Sequence, residues 1–260
     1  MRVSAIQFAI SLGQTDANYD MVEKYIYAAA KEQADVIVLP EMWNVSFYPD
    51  DVWNLADDDG CRTKQFLADL ASTLHVNIVG GSVAVRRGDK LYNTTYVVDR
   101  KGKLIASYDK VHLFTPGKED AVFTPGEKIN SFSLDGIPMA SIICYDLRFC
   151  EWVRMAALTG AQMIFVPAAW PDPRCEHWQI LNRARAIENQ CFITAVNSCG
   201  EAGHMHFCGH SMIVDPWGNV LAQGDGTAQI VTAETDFSVV SDIRNRINVF
   251  KDRQSQLYNV

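Results

Sequence analysis

PMASIICYDLRFCEWVRMAALTGAQMIFVP, residues 138–167, holds an apolar β-branched run, a charged turn, a helical pattern over 151–159 and a second apolar run over 162–166 stopped by proline. Strand, helix of that length and strand again make up the unit from which α/β layers are built. The pattern extends in both directions. Strand-like runs lie at 3–8, 35–39, 77–84 and 191–196, and helical patterns near 17–33, 62–75 and 174–189. The alternation predicts an α/β or layered αβ architecture. Two segments interrupt it, LYNTTYVVDRKGKLIASYD and HSMIVDPWGNVLAQGD. Each reads as a hairpin, with Gly102 and Gly218 supplying the positive φ that such turns use.

The hairpins also suggest an internal repeat. VDRKGKLIA (98–106) and VDPWGNVLA (214–222) share V-D-x-x-G and a final Ala, and ADVIVLP (34–40) matches AQMIFVP (161–167) in a similar way. Two α/β halves about a pseudo-twofold axis would explain this; chance similarity of short strand–turn segments is the other explanation. In the helix near 174–189, Trp178, Leu181, Ala184 and Ile187 recur every third residue, a stripe for the core or a dimer interface.

Composition narrows the class. A chain of 260 residues, 48% hydrophobic and 21% charged, is long enough for a sizeable core and reads as a soluble globular protein in one domain. A net charge of −8 without a basic cluster argues against a nucleic-acid surface. No apolar stretch approaches the roughly 20 residues that span a bilayer. MRVSAIQFAISLGQ enters a strand pattern at once and lacks the shape of a signal peptide. Seven irregularly placed cysteines imply reduced thiols and a cytoplasmic protein.

Three reactive groups stand just beyond apolar runs: Glu41 after DVIVLP, Lys110 after LIASYD and Cys144 after PMASII. Strand ends are where rigid scaffolds present catalytic groups. Singly, each has a plainer reading, since carboxylates and lysines at such places are usually solvated and such cysteines buried and inert. Together they form a workable device. A thiol near pKa ~8.5 needs help to act as a nucleophile at neutral pH. Glu41 can take its proton where burial raises the carboxylate's affinity for it, and can return that proton to a leaving amine. Lys110 and the Tyr145 backbone N–H can stabilise the oxyanion. This is amide or nitrile hydrolysis through a thioester or thioimidate, with no metal and no cofactor.

At these residues the chain resembles a known family. LPEMW, YDKVHLF and CYDLRFCEW match, in order and spacing, the three catalytic motifs of the nitrilase superfamily of carbon–nitrogen hydrolases. PAAWPDPRCEHWQILNRARAIENQ and GHSMIVDPWGNVL agree as well, so the resemblance covers nearly the whole chain. It implies an αββα sandwich over a single domain, 1–260, with a Glu41–Lys110–Cys144 triad. It also implies homodimers or larger homo-oligomers, with the tail, about 240–260, at an interface. A second glutamate assists the triad in this family; Glu119 in KEDAVFTPG is the matching position and Glu127 its competitor. Cys150 stands where relatives carry proline or a small residue, and reads as a small side chain near a helix start.

Within the family, CYDLRF resembles the branch that hydrolyses small amides. Arg148 stands where carbamoylase relatives grip a substrate carboxylate, which suits a bidentate guanidinium. A salt bridge to Asp146 or Glu151 is the competing role, and Arg174 is a weaker candidate of the same kind. Trp43, Phe114, Tyr145 and Trp170 are expected to wall a small pocket. The implied substrate is a small ω-amide carboxylate resembling 2-oxoglutaramate, cleaved by water with release of ammonia. Relatives acting on deaminated glutathione or N-carbamoyl amino acids share most of these motifs. Two readings from other classes compete. One is a zinc site in CGEAGHMHFCGH (199–210), whose spacing matches no familiar zinc pattern; the other is a binding module without activity.

Overall fold

The computed structural model describes residues 1–258. The first half runs β1 (Arg2–Gln7), α1 (Thr15–Lys31), β2 (Val36–Val38), α2 (Val52–Leu55), β3 (Asp57–Asp58), α3 (Cys61–Leu74), β4 (Asn77–Val79), β5 (Val83–Arg87), β6 (Lys90–Val98) and β7 (Leu104–Asp109). The second runs β8 (Asn130–Leu134), β9 (Ile137–Ser141), α4 (Cys150–Leu158), β10 (Met163–Ala168), α5 (Cys175–Asn189) and β11 (Phe192–Asn197). It continues through β12 (Cys199–Ala202), β13 (Met205–Cys208), β14 (Met212–Val214) and β15 (Val220–Gln223). The chain then crosses back as β16 (Gln229–Glu234), followed by α6 (Ser238–Arg246) and α7 (Val249–Asp252).

The two sheets share one strand order along a six-strand path. The first sheet contains the path β16-β1-β2-β4-β6-β7, the second β8-β9-β10-β11-β14-β15. In each, the central three strands are parallel and the flanking pairings antiparallel. The equivalent hairpins are β6–β7 and β14–β15, which contain the two repeated segments. The repeat is therefore one of structure as well as of sequence.

Alternation along the strands builds four layers. Val3, Ala5, Val36 and Val38 of the first sheet meet Met139, Met163, Phe165 and Phe192 of the second in one core. On the outer face of the first sheet, Ile6, Ile37 and Ile78 pack under Val22 and Ile26 of α1 and Leu67 of α3. On the outer face of the second, Ile164, Val166 and Ile193 pack under Val153 of α4 and Trp178 and Ala186 of α5. The period of two sends successive side chains to opposite faces, so each strand feeds two cores.

Two expectations change. The run 77–84 is two strands, broken at Gly80 and Gly81. A Cβ on Gly81, which has φ 59°, would lie 2.0 Å from the Pro40 carbonyl oxygen, so only glycine lets this turn press against the end of β2. The stripe on α5 also differs. The buried residues are Trp178, Asn182, Arg185, Ala186 and Asn189, whereas Ile187 is 50% exposed. A spacing of three falls short of a 3.6-residue turn, so over nine residues it walks to the opposite face. In the tail, Val240 joins the inter-sheet core while Ile247, Leu257 and Tyr258 are exposed, and 259–260 lie outside the described residues. No helix among the described residues is long and apolar enough to cross a membrane.

Candidate active site

Glu41, Lys110 and Cys144, far apart in sequence, meet between the sheets. Proline ends the extended run after β2, and the Glu41 N–H then donates to the Ala168 carbonyl at the end of β10 (3.3 Å). Lys110 follows β7, and its N–H donates to the Asn93 carbonyl of β6 (2.9 Å). Cys144 opens a short 3₁₀ turn, 144–148, three residues past the end of β9. Its φ of 44° is unusual for a side-chain-bearing residue and marks a sharp, strained elbow.

The charged groups are fully buried and closely paired. The Lys110 Nζ donates to Glu41 Oε1 (2.8 Å) and to Glu119 Oε2 (2.8 Å) and Oε1 (3.1 Å). Glu41 Oε2 accepts the Ala169 N–H (2.8 Å), and Glu119 Oε2 accepts the Phe114 N–H (2.6 Å). The Asn93 amide donates to Glu41 Oε1 (2.9 Å) and Glu119 Oε1 (3.0 Å). Glu119, not Glu127, is thus the second carboxylate at Lys110. Burial lowers the Lys110 pKa, but Glu119 and Glu41 prevail and hold it well above the ordinary value. Burial pushes the Cys144 thiol well above its ordinary value and Glu41 adds to this, while Lys110 opposes it. The resting thiol is therefore protonated, with the Glu41 carboxylate among the groups that keep it so.

The elbow is braced by two residues that sequence reasoning gave no role at the site. Fully buried Asp146 accepts from Ile143 N–H (2.9 Å), His112 N–H (2.9 Å) and Tyr108 O–H (2.6 Å), and its Oδ1 meets His112 Nδ1 at 2.8 Å. It joins the elbow to the chain just after Lys110. From α5, Arg185 donates to the Leu147 and Arg148 carbonyls (3.0 and 3.2 Å). The charges of DLR and ARAIEN were visible in the sequence, but apart from Ile143 their partners named here lie 34 to 38 residues away.

Beside Cys144 is a pocket of about 360 Å³, counting its open mouth, with walls that include Phe114, Tyr145, Trp170, Arg148 and Arg174. Phe47, Ala169, Pro171 and Met205 complete it, none of them signalled by the sequence. Trp43 does not belong to it. Its ring is wholly buried in the helical layer outside the first sheet, edge-on to Tyr19 at 4.7 Å, with Nε1 donating to the Gly80 carbonyl (2.8 Å). Met42, at φ 52°, turns the chain away from the pocket directly after Glu41.

Arg148 makes neither salt bridge considered for it. Asp146 faces the elbow, and the Arg148 guanidinium instead lies 4.7 Å over the Trp170 ring with one nitrogen 3.3 Å from His177 Nδ1. Arg174 lies 5.3 Å over Phe114. Burial, and then Arg174, lower the Arg148 pKa below its usual value, although a guanidinium stays charged. Neither arginine has a carboxylate partner among the described residues. Cys150 is an exposed residue at the start of α4. In the Cys/His segment, Cys199 and Cys208 sit opposite one another across β12–β13, and no group of three or more candidate ligands forms among the described residues.

A family profile described as carbon-nitrogen hydrolase matches residues 2–245. The chain is 43% identical over 256 residues to the 2-oxoglutaramate amidase of Bacillus subtilis (strain 168), covering 98% of each. It is 32% identical over 268 residues to the omega-amidase NIT2 of Homo sapiens, covering 100% of this chain and 97% of that one. Among solved structures, a mutant of the amidase from Nesterenkonia sp. AN1 carries the acetamide moiety of fluoroacetamide at its active site cysteine. It matches with a TM-score of 0.89 at 26% identity, covering 99% of this chain and 95% of that chain.

Proposed function

The chain belongs to the carbon–nitrogen hydrolase family and is an amidase; from that premise we propose that it hydrolyses the terminal amide of a short dicarboxylic monoamide of the 2-oxoglutaramate kind. The observation that carries the substrate class is the pair Arg148 and Arg174, two cations lining the Cys144 pocket without a carboxylate partner. A substrate carboxylate satisfies that charge, and the short pocket then brings the far amide towards the thiol.

In the proposed mechanism Cys144 Sγ attacks the amide carbon as its proton passes to Glu41. Lys110 and the Tyr145 N–H stabilise the oxyanion of the tetrahedral adduct. Glu41 returns the proton to nitrogen, so that ammonia leaves and a thioester remains. Glu41 then deprotonates a water that attacks the thioester, and collapse of the second adduct frees the acid product and the thiol. Glu119 keeps Lys110 in place. No metal or cofactor takes part. Pairing of protomers belongs to the same reading and is supported by Met155, Leu158, Ile180 and Ile187, exposed on α4 and α5. So does a reducing, cytoplasmic setting, supported by the seven free thiols.

Ammonia release from 2-oxoglutaramate, succinamate, glutamine, an N-carbamoyl amino acid and a simple nitrile tests the proposal, with Cys144→Ala in parallel. The expected outcome is release from the carboxylated ω-amides alone, lost in the variant. Preference for the carbamoyl compound or the nitrile would overturn the substrate class. Activity in the variant would overturn the nucleophile.

A further inference from the structure

Asn93 lies in the middle of β6, fully buried. Its amide donates one N–H to Glu41 Oε1 and the other to Glu119 Oε1, at 2.9 and 3.0 Å. Lys110 Nζ spans the same two oxygens at 2.8 and 3.1 Å. The four groups close a ring in which a charged and a neutral donor each bridge two carboxylates. The Asn93 carbonyl also holds the Lys110 backbone N–H, so one residue positions all three charges.

Two features separate this from ordinary packing. Charge does not balance: two buried carboxylates face one buried ammonium, and carboxylates that share such a site tend to take up a proton between them. A second donor bridging both opposes that uptake. The Asn93 Oδ1, moreover, is buried without a partner. A flipped amide would aim that acceptor at two carboxylates, so they dictate its orientation. An amide kept at the cost of an unsatisfied acceptor is kept for its N–H groups. The other titratable groups around the cluster are the Cys144 thiol and the Tyr48 phenol, whose pKa burial and then Glu119 push up to about 12, with Asp120 beyond it.

We propose that Asn93 is a positioning residue, which bridges Glu41 and Glu119 opposite Lys110, keeps both ionised and leaves Glu41 free to accept the Cys144 proton. The inference rests on Glu41 as the base, proposed above. Removing the amide lets the cluster hold an extra proton, which blocks transfer from the thiol while the arginine pocket still binds substrate.

The experiment is the pH dependence of kcat and KM for ammonia release by wild type, Asn93→Ala, Asn93→Ser, Asn93→Asp and Glu41→Gln. For Asn93→Ala, kcat at neutral pH is expected to fall by up to about 10-fold while KM changes by less than about threefold. The acid limb of its kcat profile should move up by about one pH unit, so that alkali restores part of the loss. Asn93→Ser, with one remaining donor, should recover part of the rate, and Asn93→Asp should lose more than Asn93→Ala. A kcat loss equal at every pH, or no loss, overturns the proposal. If Asn93→Ala does not fold, Asn93→Ser carries the same comparison of limbs. Wild-type kcat in Glu41→Gln would instead overturn the reading of the base, and the role of Asn93 with it.

Discussion

The two sides of Cys144 are built on opposite principles. On one, Lys110, Glu41 and Glu119 are wholly buried and bound to one another. On the other, Arg148 and Arg174 lie over aromatic rings, with no carboxylate partner among the described residues. Buried charge is costly unless it is paired, so the first side is complete in the free protein, while the half-buried arginines of the second are left open to an anion. Under the proposed function the difference separates reaction from recognition, the paired side serving proton transfer and oxyanion stabilisation and the unpaired side a substrate carboxylate.

The strongest test breaks the paired side. Lys110→Met should abolish measurable turnover, a loss of at least ~10³-fold, as expected when an oxyanion partner is removed. Because it strands two buried carboxylates, it should also cost about 3–5 kcal/mol of stability in urea denaturation. Since the folded-state pKa of Lys110 is raised above 10.5, the lysine's contribution to stability is complete below that value and declines as pH climbs towards the raised one. The advantage of wild type over the variant should therefore narrow only in strong alkali.

A smaller effect is expected on the unpaired side. Arg148→Lys keeps the charge but loses the planar fork, and should raise KM for carboxylated amides by about 10-fold with little change for neutral amides. Equal loss on both substrates would make Arg148 a wall rather than a receptor. Smallest of all should be Cys150→Ser. The exposed thiol, six residues beyond Cys144, touches neither side, so kcat/KM should stay within about twofold and stability within about 0.5 kcal/mol. A large loss would mean that the elbow extends further into α4 than its hydrogen bonds indicate.

Much of the paired side was legible in the chain. Each triad residue follows an apolar run directly, and the end of a run is a local property. Glu119 came through the match to a known motif. Asn93 and Asp146 were missed because their signal is a partner across the fold: an asparagine inside a strand and an aspartate in a turn look ordinary until Glu41 and His112 are beside them. The unpaired side was legible in residue type and illegible in direction. Trp43, two residues from Glu41, is as close in sequence as a pocket wall could be, yet the left-handed turn at Met42 sends it into another core. Phe47 and Met205 reach the pocket from a loop and a hairpin with no pattern pointing there.

By itself the sequence determined the alternation of strands and helices and the three strand-end residues, which depend on neighbours along the chain through periodicity, β-branching and proline stops. It carried the family through a match of motifs, and only suggested the doubling that the shared strand order then showed. The tertiary structure alone decided that Arg148 goes without a salt bridge, that Asp146 and Arg185 brace the elbow, and that Asn93 bridges the carboxylates. Those outcomes depend on the rotation and offset of packed layers, which bring side chains from distant segments within hydrogen-bonding distance and remove the water that would otherwise separate them.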